Sequence, residues 1–233
     1  LSVTTFDGQG DLVANAGGDL SVGNGTVGGS ATLSSVGTTT IDTLSTQSTL
    51  DVTSGAALAA RVLSSEAAMM LSSGDTLDVQ QLISGDNLDV EAVGKLSIAE
   101  ATVTGDASIN GESEVVLGQA TVGQTLTVNA ATDLTATTLQ VAGNSLLTSG
   151  ADLSVTTFDG QGDLVANAGG NASFDKVNVG GSMDLQAGQA IDVGSAVIGV
   201  DGTWVAGTDL TADEVTTGCN FSGDAGGTLT IGS

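Results

Sequence analysis

Apolar residues recur along this chain in pairs two positions apart, and the pairs recur every nineteen residues without an insertion or deletion. With the positions of one unit numbered as slots 1 to 19 and Leu1 placed in slot 2, later units begin at Asp19, Thr38, Ala57, Thr76, Lys95, Glu114, Asp133, Asp152, Asn171, Ala190, Asp209 and Thr228. Slot 2 holds Leu20, Leu58, Leu77, Leu96, Leu134, Leu153 and Leu210, and slot 4 holds Val22, Ile41, Val79, Ile98, Leu117 and Val155. Slots 7 and 9 and slots 13 and 15 form two further pairs. A separation of two is the spacing of side chains on one face of a strand, and no helical period accompanies it.

Slot 17 carries only small residues, among them Ala16, Ser35, Ser54, Ala92, Ala130, Ser149 and Ala187. Glycine is frequent beside it in slot 18 and again in slot 10, which marks two tight corners and predicts positive backbone angles there. Two or three short strands joined by such corners predict one rung of a parallel β-helix, each strand pairing with its equivalent one unit later. A single rung cannot stand alone, because ordering nineteen residues costs more than about six buried aliphatic side chains return. The pattern therefore predicts an all-β solenoid of about twelve rungs, roughly 58 Å long at a strand spacing of about 4.8 Å. Residues 1–233 read as one stalk segment, a fragment of a longer rod without caps. The few large side chains, Phe6 and Phe158 in slot 7, Phe174 in slot 4, Phe221 in slot 13 and Trp204 in slot 15, are predicted to point inward.

Composition sharpens this picture. The 233 residues include 35 glycines, no proline, no tyrosine and no histidine, and three Lys and Arg face 27 Asp and Glu for a net charge of −24. Nucleic acid and anionic membrane surfaces are disfavoured as direct partners. Spread along the predicted rod, the charge is about one per 2.4 Å, on the order of the 1.7 Å per charge of duplex DNA. The one cysteine, Cys219, has no partner for an internal disulfide. No apolar stretch approaches the roughly 18 residues of a membrane span, and no basic-then-apolar export signal is seen, so direct membrane insertion is not expected. Residues 1–18, LSVTTFDGQGDLVANAGG, recur identically as residues 153–170, exposed slots included, which points to duplication within a repetitive gene.

Catalysis on a β-helix needs a base and an electrophile gathered in a cleft, usually by loops leaving the coil. Here no loop departs from the repeat, and Arg61, Lys95 and Lys176 occupy different slots, so an enzyme is not expected and no catalytic or cofactor-binding residue is assigned. Carboxylates repeated in one slot suggest a calcium ladder instead, with Glu114, Asp133 and Asp152 in slot 1 of successive units as its candidates. The competing reading is a solvated acidic edge. DGQGD at Asp7–Asp11 and Asp159–Asp163 matches neither a calcium-roll unit nor an EF-hand loop and reads as a turn. Hydroxyls fill much of slot 3, but Asp78, Val116 and Asp192 interrupt the unbroken array that an ice-binding face requires. Asn24, Asn171 and Asn220 open glycosylation sequons.

Units such as DLSVTTFDGQGDLVANAGG and EVVLGQATVGQTLTVNAAT resemble the nineteen-residue repeats of filamentous haemagglutinin and related two-partner-secretion exoproteins, over the whole chain. The acidic balance is closest in character to the cyclic-di-GMP-regulated biofilm-matrix adhesins of Pseudomonas. The resemblance implies a right-handed parallel β-helix, secretion through an outer-membrane partner by regions outside this segment, and a place on the bacterial surface or in the biofilm matrix. It implies a structural stalk in cell–cell and cell–matrix adhesion, with extracellular polysaccharide, neighbouring rods or cells as partners. A passive spacer in a contact-dependent toxin filament is the first alternative and an ice-binding β-helix the second.

Overall fold

A computed structural model describes residues 1–232. Every regular element among the described residues is a β-strand, and the chain is a parallel β-solenoid of about twelve turns at nineteen-residue spacing. It divides into two compact units, Leu1–Val116 and Leu117–Ser233.

Each turn contributes two strands rather than three. The longer runs from slot 2 to slot 9, as in Leu58–Ser65, and the shorter from slot 13 to slot 17, as in Met69–Ser73. In the first unit the long strands build a wide sheet and the short ones a narrow sheet, both wholly parallel and both in register at an offset of one repeat. Leu58 lies beside Leu77 in the wide sheet and Leu88 beside Ala107 in the narrow one. The second unit is built in the same way, with Leu153 beside Ala172 and Leu164 beside Met183.

The wide strand merges the two apolar pairs read from the sequence. Along Leu77–Ser84 the side chains are buried at slots 2 and 4, turn outward at slots 5 and 6, and are buried again at 7 and 9. The ladder skips slot 5, so that Ile98 pairs with Val79 and Glu100 with Gln81 while Ala99 is passed over. This two-residue outward bend keeps both pairs on the core side of one strand. A strict alternation would have turned the second pair to solvent.

The six apolar slots are buried along most of the chain, with Leu1, Leu229 and Ile231 exposed. Leu33, Leu63, Val79, Val90, Leu126 and Leu147 are fully enclosed. Trp204, Phe158 and Phe174 are the three largest buried side chains. Phe6 and Phe221 are only half-buried. Volume is compensated locally. A Cβ on Gly160 would lie 2.5 Å from Cε1 of the Phe158 ring, and one on Gly8 would lie 2.5 Å from Cζ of Phe6. The Phe-Asp-Gly sequence in the duplicated segment is thus a packing pair. Trp204 meets Phe221 edge to face at 5.0 Å and 87°, with Gly202 and Gly223 beside them leaving room for the rings.

The corner glycines correct one expectation: none of the described residues has a positive backbone φ. The requirement is closeness instead. A Cβ on Gly74, Gly169 or Gly188 would collide with the carbonyl oxygen of the glycine one turn earlier in the same slot. Successive corners are stacked that tightly because each also donates its N–H to the turn before, Gly74 to Ser54 O at 2.8 Å and Gly188 to Ala168 O at 2.9 Å.

Candidate functional site

The two corners of a turn follow one plan. The last inward residue of a strand, in slot 9 or 17, is followed by two turn residues and then by an outward residue, in slot 12 or 1, from which the next strand starts. At several corners the inward residue is a serine whose hydroxyl lies buried between two carbonyls. Ser54 Oγ donates within reach of Gly37 O at 3.0 Å and Ala57 O at 2.9 Å, and Ser73 Oγ of Ala56 O at 2.7 Å and Thr76 O at 2.9 Å. At the other corner Ser84 Oγ reaches Ala67 O at 3.1 Å and Asn87 O at 3.0 Å. One carbonyl of each pair belongs to the turn below, so these hydroxyls tie one turn to the next, adding a side-chain bond at corners where Gly37 O, Ala57 O, Thr76 O and Asn87 O already accept backbone N–H groups.

The outward residue closes the corner from the solvent side. Asp or Asn in slots 12 and 1 accepts the backbone N–H of the same slot one turn later: Asp11 from Ser30 at 2.8 Å, Asn87 from Asp106 at 2.9 Å, Asp163 from Ser182 at 2.8 Å and Asp209 from Thr228 at 2.8 Å. Asp19 accepts from both the N–H and the hydroxyl of Thr38, at 2.9 and 3.1 Å, and these bonds hold its carboxyl below the ordinary aspartate value. The residue preceding the bonded N–H is often glycine. A Cβ on Gly29, Gly37, Gly105, Gly170 or Gly181 would strike the capping Oδ1.

These caps account for several residues singled out in the sequence. Asp152 accepts the N–H and the side-chain amide of Asn171 at 2.7 and 3.1 Å, and Asp133 accepts the N–H of Asp152 at 3.1 Å. Glu114 in the first unit is paired with Lys95 at 2.9 Å. Among the described residues no three His, Cys, Asp or Glu side chains gather as a metal would need. DGQGD is a turn, and its second aspartate is the cap, as Asp11 and Asp163 both show. Two sequon asparagines serve the same corners: Asn171 is bonded to Asp152, and Asn220 to Asp201 through its N–H at 2.9 Å and its amide at 3.0 Å. Asn24 lies exposed on the outward bend. Cys219 is exposed at a corner.

In the first unit, the outer face of the wide sheet carries surface relief. There the outward bend stands above the flatter slot 3 column and leaves a trough of about 360 Å³. Ser21, Thr40, Ala59 and Asp78 form one wall, Gly23, Asp42, Arg61 and Gln80 the other, and the backbone of Val22, Ile41 and Ala60 the floor. A second hollow of about 510 Å³ lies against the same Arg61 and Gln80, reaching Gln81, Ala99 and Glu100. Arg61 bridges the two: Nε donates to Asp42 Oδ1 and Nη2 to Thr43 Oγ1, both at 2.5 Å. Gln81 donates to Glu100 at 3.3 Å. In the second unit a hollow of about 330 Å³ runs between Thr121, Gly123, Gln140, Ala142, Asp159 and Gln161. Lys176, on the bend of that unit, has no ion-pair partner among the described residues.

The corner hydroxyls, the caps and the trough go beyond what the sequence pattern predicts. A signal for the caps is present in the chain, as Asp or Asn at one position with glycine eighteen residues on, but it becomes visible only when successive turns are aligned. Comparison with protein-family models, with characterised proteins and with solved structures finds no match to this chain.

Proposed function

We propose that this chain is a stalk segment of a large secreted bacterial adhesin, working at the cell surface or in the biofilm matrix in cell–cell and cell–matrix adhesion. The observation that carries this reading is the economy of the turn. Each nineteen-residue unit consists of two strands and two locked corners, and the same outward slots are presented turn after turn. Such a coil is suited to holding surfaces apart and to offering one weak contact many times, which multivalency makes effective. The dense negative charge keeps neighbouring stalks soluble and directs adhesion toward uncharged matrix components.

The test is to delete whole turns, in multiples of nineteen residues, from the protein displayed on producing cells. An adhesive stalk loses cell aggregation and retention of extracellular polysaccharide in proportion to the outward columns removed. A spacer keeps full binding per cell and loses only reach, and that result would overturn the adhesive reading.

A further inference from the structure

The trough beside Arg61 has the makings of a ligand site of defined chemistry. Arg61 is the one arginine of the chain, and it stands on the outward bend, fixed at its base by Asp42 and Thr43. A guanidinium carries five N–H donors, and these two bonds use two of them. The other donors lie between hollows of about 360 and 510 Å³, whose remaining walls offer the carboxylates of Asp78 and Glu100 and the amides of Gln80 and Gln81. Ala59 opens the wall facing Arg61.

The chemistry of the walls selects the ligand class. Asp42, Asp78 and Glu100 outnumber Arg61, so a polyanion, whether polyuronate, nucleic acid or phosphate-bearing, is repelled. The trough has neither an aromatic platform nor an apolar pocket, which removes the anchors that a bound peptide uses. What remains is a chain of hydroxyl groups, each able to donate to a carboxylate or amide oxygen and accept from a guanidinium or amide N–H. We infer that the trough running past Arg61 binds an uncharged, polyhydroxylated glycan strand laid along the stacking direction of the turns. This rests on the adhesive-stalk reading and gives that stalk a ligand and a place to hold it. Shallow, water-exposed walls make this contact a weak one.

The experiment titrates the full chain with neutral tetrasaccharides of glucose, galactose and mannose, and with a polyuronate tetramer, by calorimetry or ligand-observed magnetic resonance. The Ala59→Trp and Arg61→Ala variants are run beside Thr53→Trp, an exposed control on the narrow sheet. All three sites are solvent-facing, so an unchanged melting midpoint confirms that each variant is folded. Saturable binding of a neutral glycan, weakened at least about tenfold (about 1.4 kcal/mol) by Ala59→Trp and by Arg61→Ala but not by Thr53→Trp, is the expected result. Binding unaffected by both trough variants, or preference for the polyuronate, overturns the site while leaving the adhesive reading in place. A wild-type chain that binds no neutral tetrasaccharide yet retains matrix on cells also overturns it. Failure to retain matrix at all overturns the adhesive reading itself.

Discussion

The two units fill one geometry with different chemistry. In the first, successive inward corner positions are hydroxyls, Thr46, Ser65 and Ser84 in slot 9 and Ser35, Ser54 and Ser73 in slot 17, all buried and each within reach of corner carbonyls. In the second, slot 9 includes Val141, Val179 and Ile198, and slot 17 includes Ala168, Ala187 and Ala206, with Ser149 and the half-buried Thr217 as hydroxyls among them. The bulk is redistributed in parallel: Phe158, Phe174 and Trp204 all lie in the second unit, with Gly160, Gly202 and Gly223 making room. The backbone course is the same in both. The slot 17 corner therefore imposes a size limit and accepts either a small hydroxyl that adds hydrogen bonds or a small apolar group that adds none, whereas the slot 9 corner also takes Val and Ile.

The largest test of that equivalence is to violate what both units share. Val90→Asp in the first unit places a carboxylate at a fully enclosed slot 15 position, where no basic residue faces it. A loss of about 4 kcal/mol or more is expected, with hydrogen exchange showing the neighbouring turns opening together. A variant melting like the parent would mean that slot 15 is not core. Next in size, Trp204→Ala empties the largest buried site of the second unit and should cost about 3–5 kcal/mol in denaturant unfolding. The glycines beside it carry no side chain to collapse inward, which places the value at the upper end.

The comparison itself is probed by exchanging corner types. Ser54→Ala removes a buried hydroxyl bonded to Gly37 O and Ala57 O, which keep the N–H groups of Ala56 and Thr39, and should cost about 0.5–1.5 kcal/mol. The reverse exchange, Ala187→Ser, adds a hydroxyl to a corner of the second unit that has the same fold. There it should find equivalent carbonyls and change stability by less than about 0.5 kcal/mol. A large loss in Ala187→Ser would show that the two units do not share a corner after all.

The inward slots are legible in the sequence because burial repeats at one position per turn, and a column of Leu or Val at a fixed period arises where the same core position is filled again and again. Small residues at slot 17 are legible for the same reason. Their hydroxyls are not, since a serine looks alike whether it faces water or a carbonyl, and only the position of Gly37 O one turn below makes Ser54 a buried donor. In the linear chain Asp152 reads as part of an acidic edge or calcium ladder. Its bond to Asn171 depends on stacking distance, which the linear chain does not display. The bend at slots 5 and 6 is hidden for a third reason: the two apolar pairs look like separate strands, whereas the ladder continues through them. The trough follows from that bend and is hidden with it.

Asp19 supplies the finest test, because it separates charge from hydrogen bonding at a corner. Its folded carboxyl is held below the unfolded value, first by the Thr38 N–H and then by the Thr38 hydroxyl. A depressed value means the folded state binds the proton less readily than the unfolded one. The contribution is therefore fully present above the unfolded aspartate value of about 3.9 and is lost as pH falls through the lower folded value. Asn at this position keeps the accepting oxygen without the charge, as Asn87 does toward Asp106. Asp19→Asn should accordingly retain slow amide exchange at Thr38 and lose its acid dependence, whereas Asp19→Ala should speed exchange there at every pH. If Asp19→Asn instead exchanged as fast as Asp19→Ala, the carboxylate charge rather than the oxygen geometry would hold the corner, and Asn could not substitute for Asp in slots 1 and 12 as it does at Asn87.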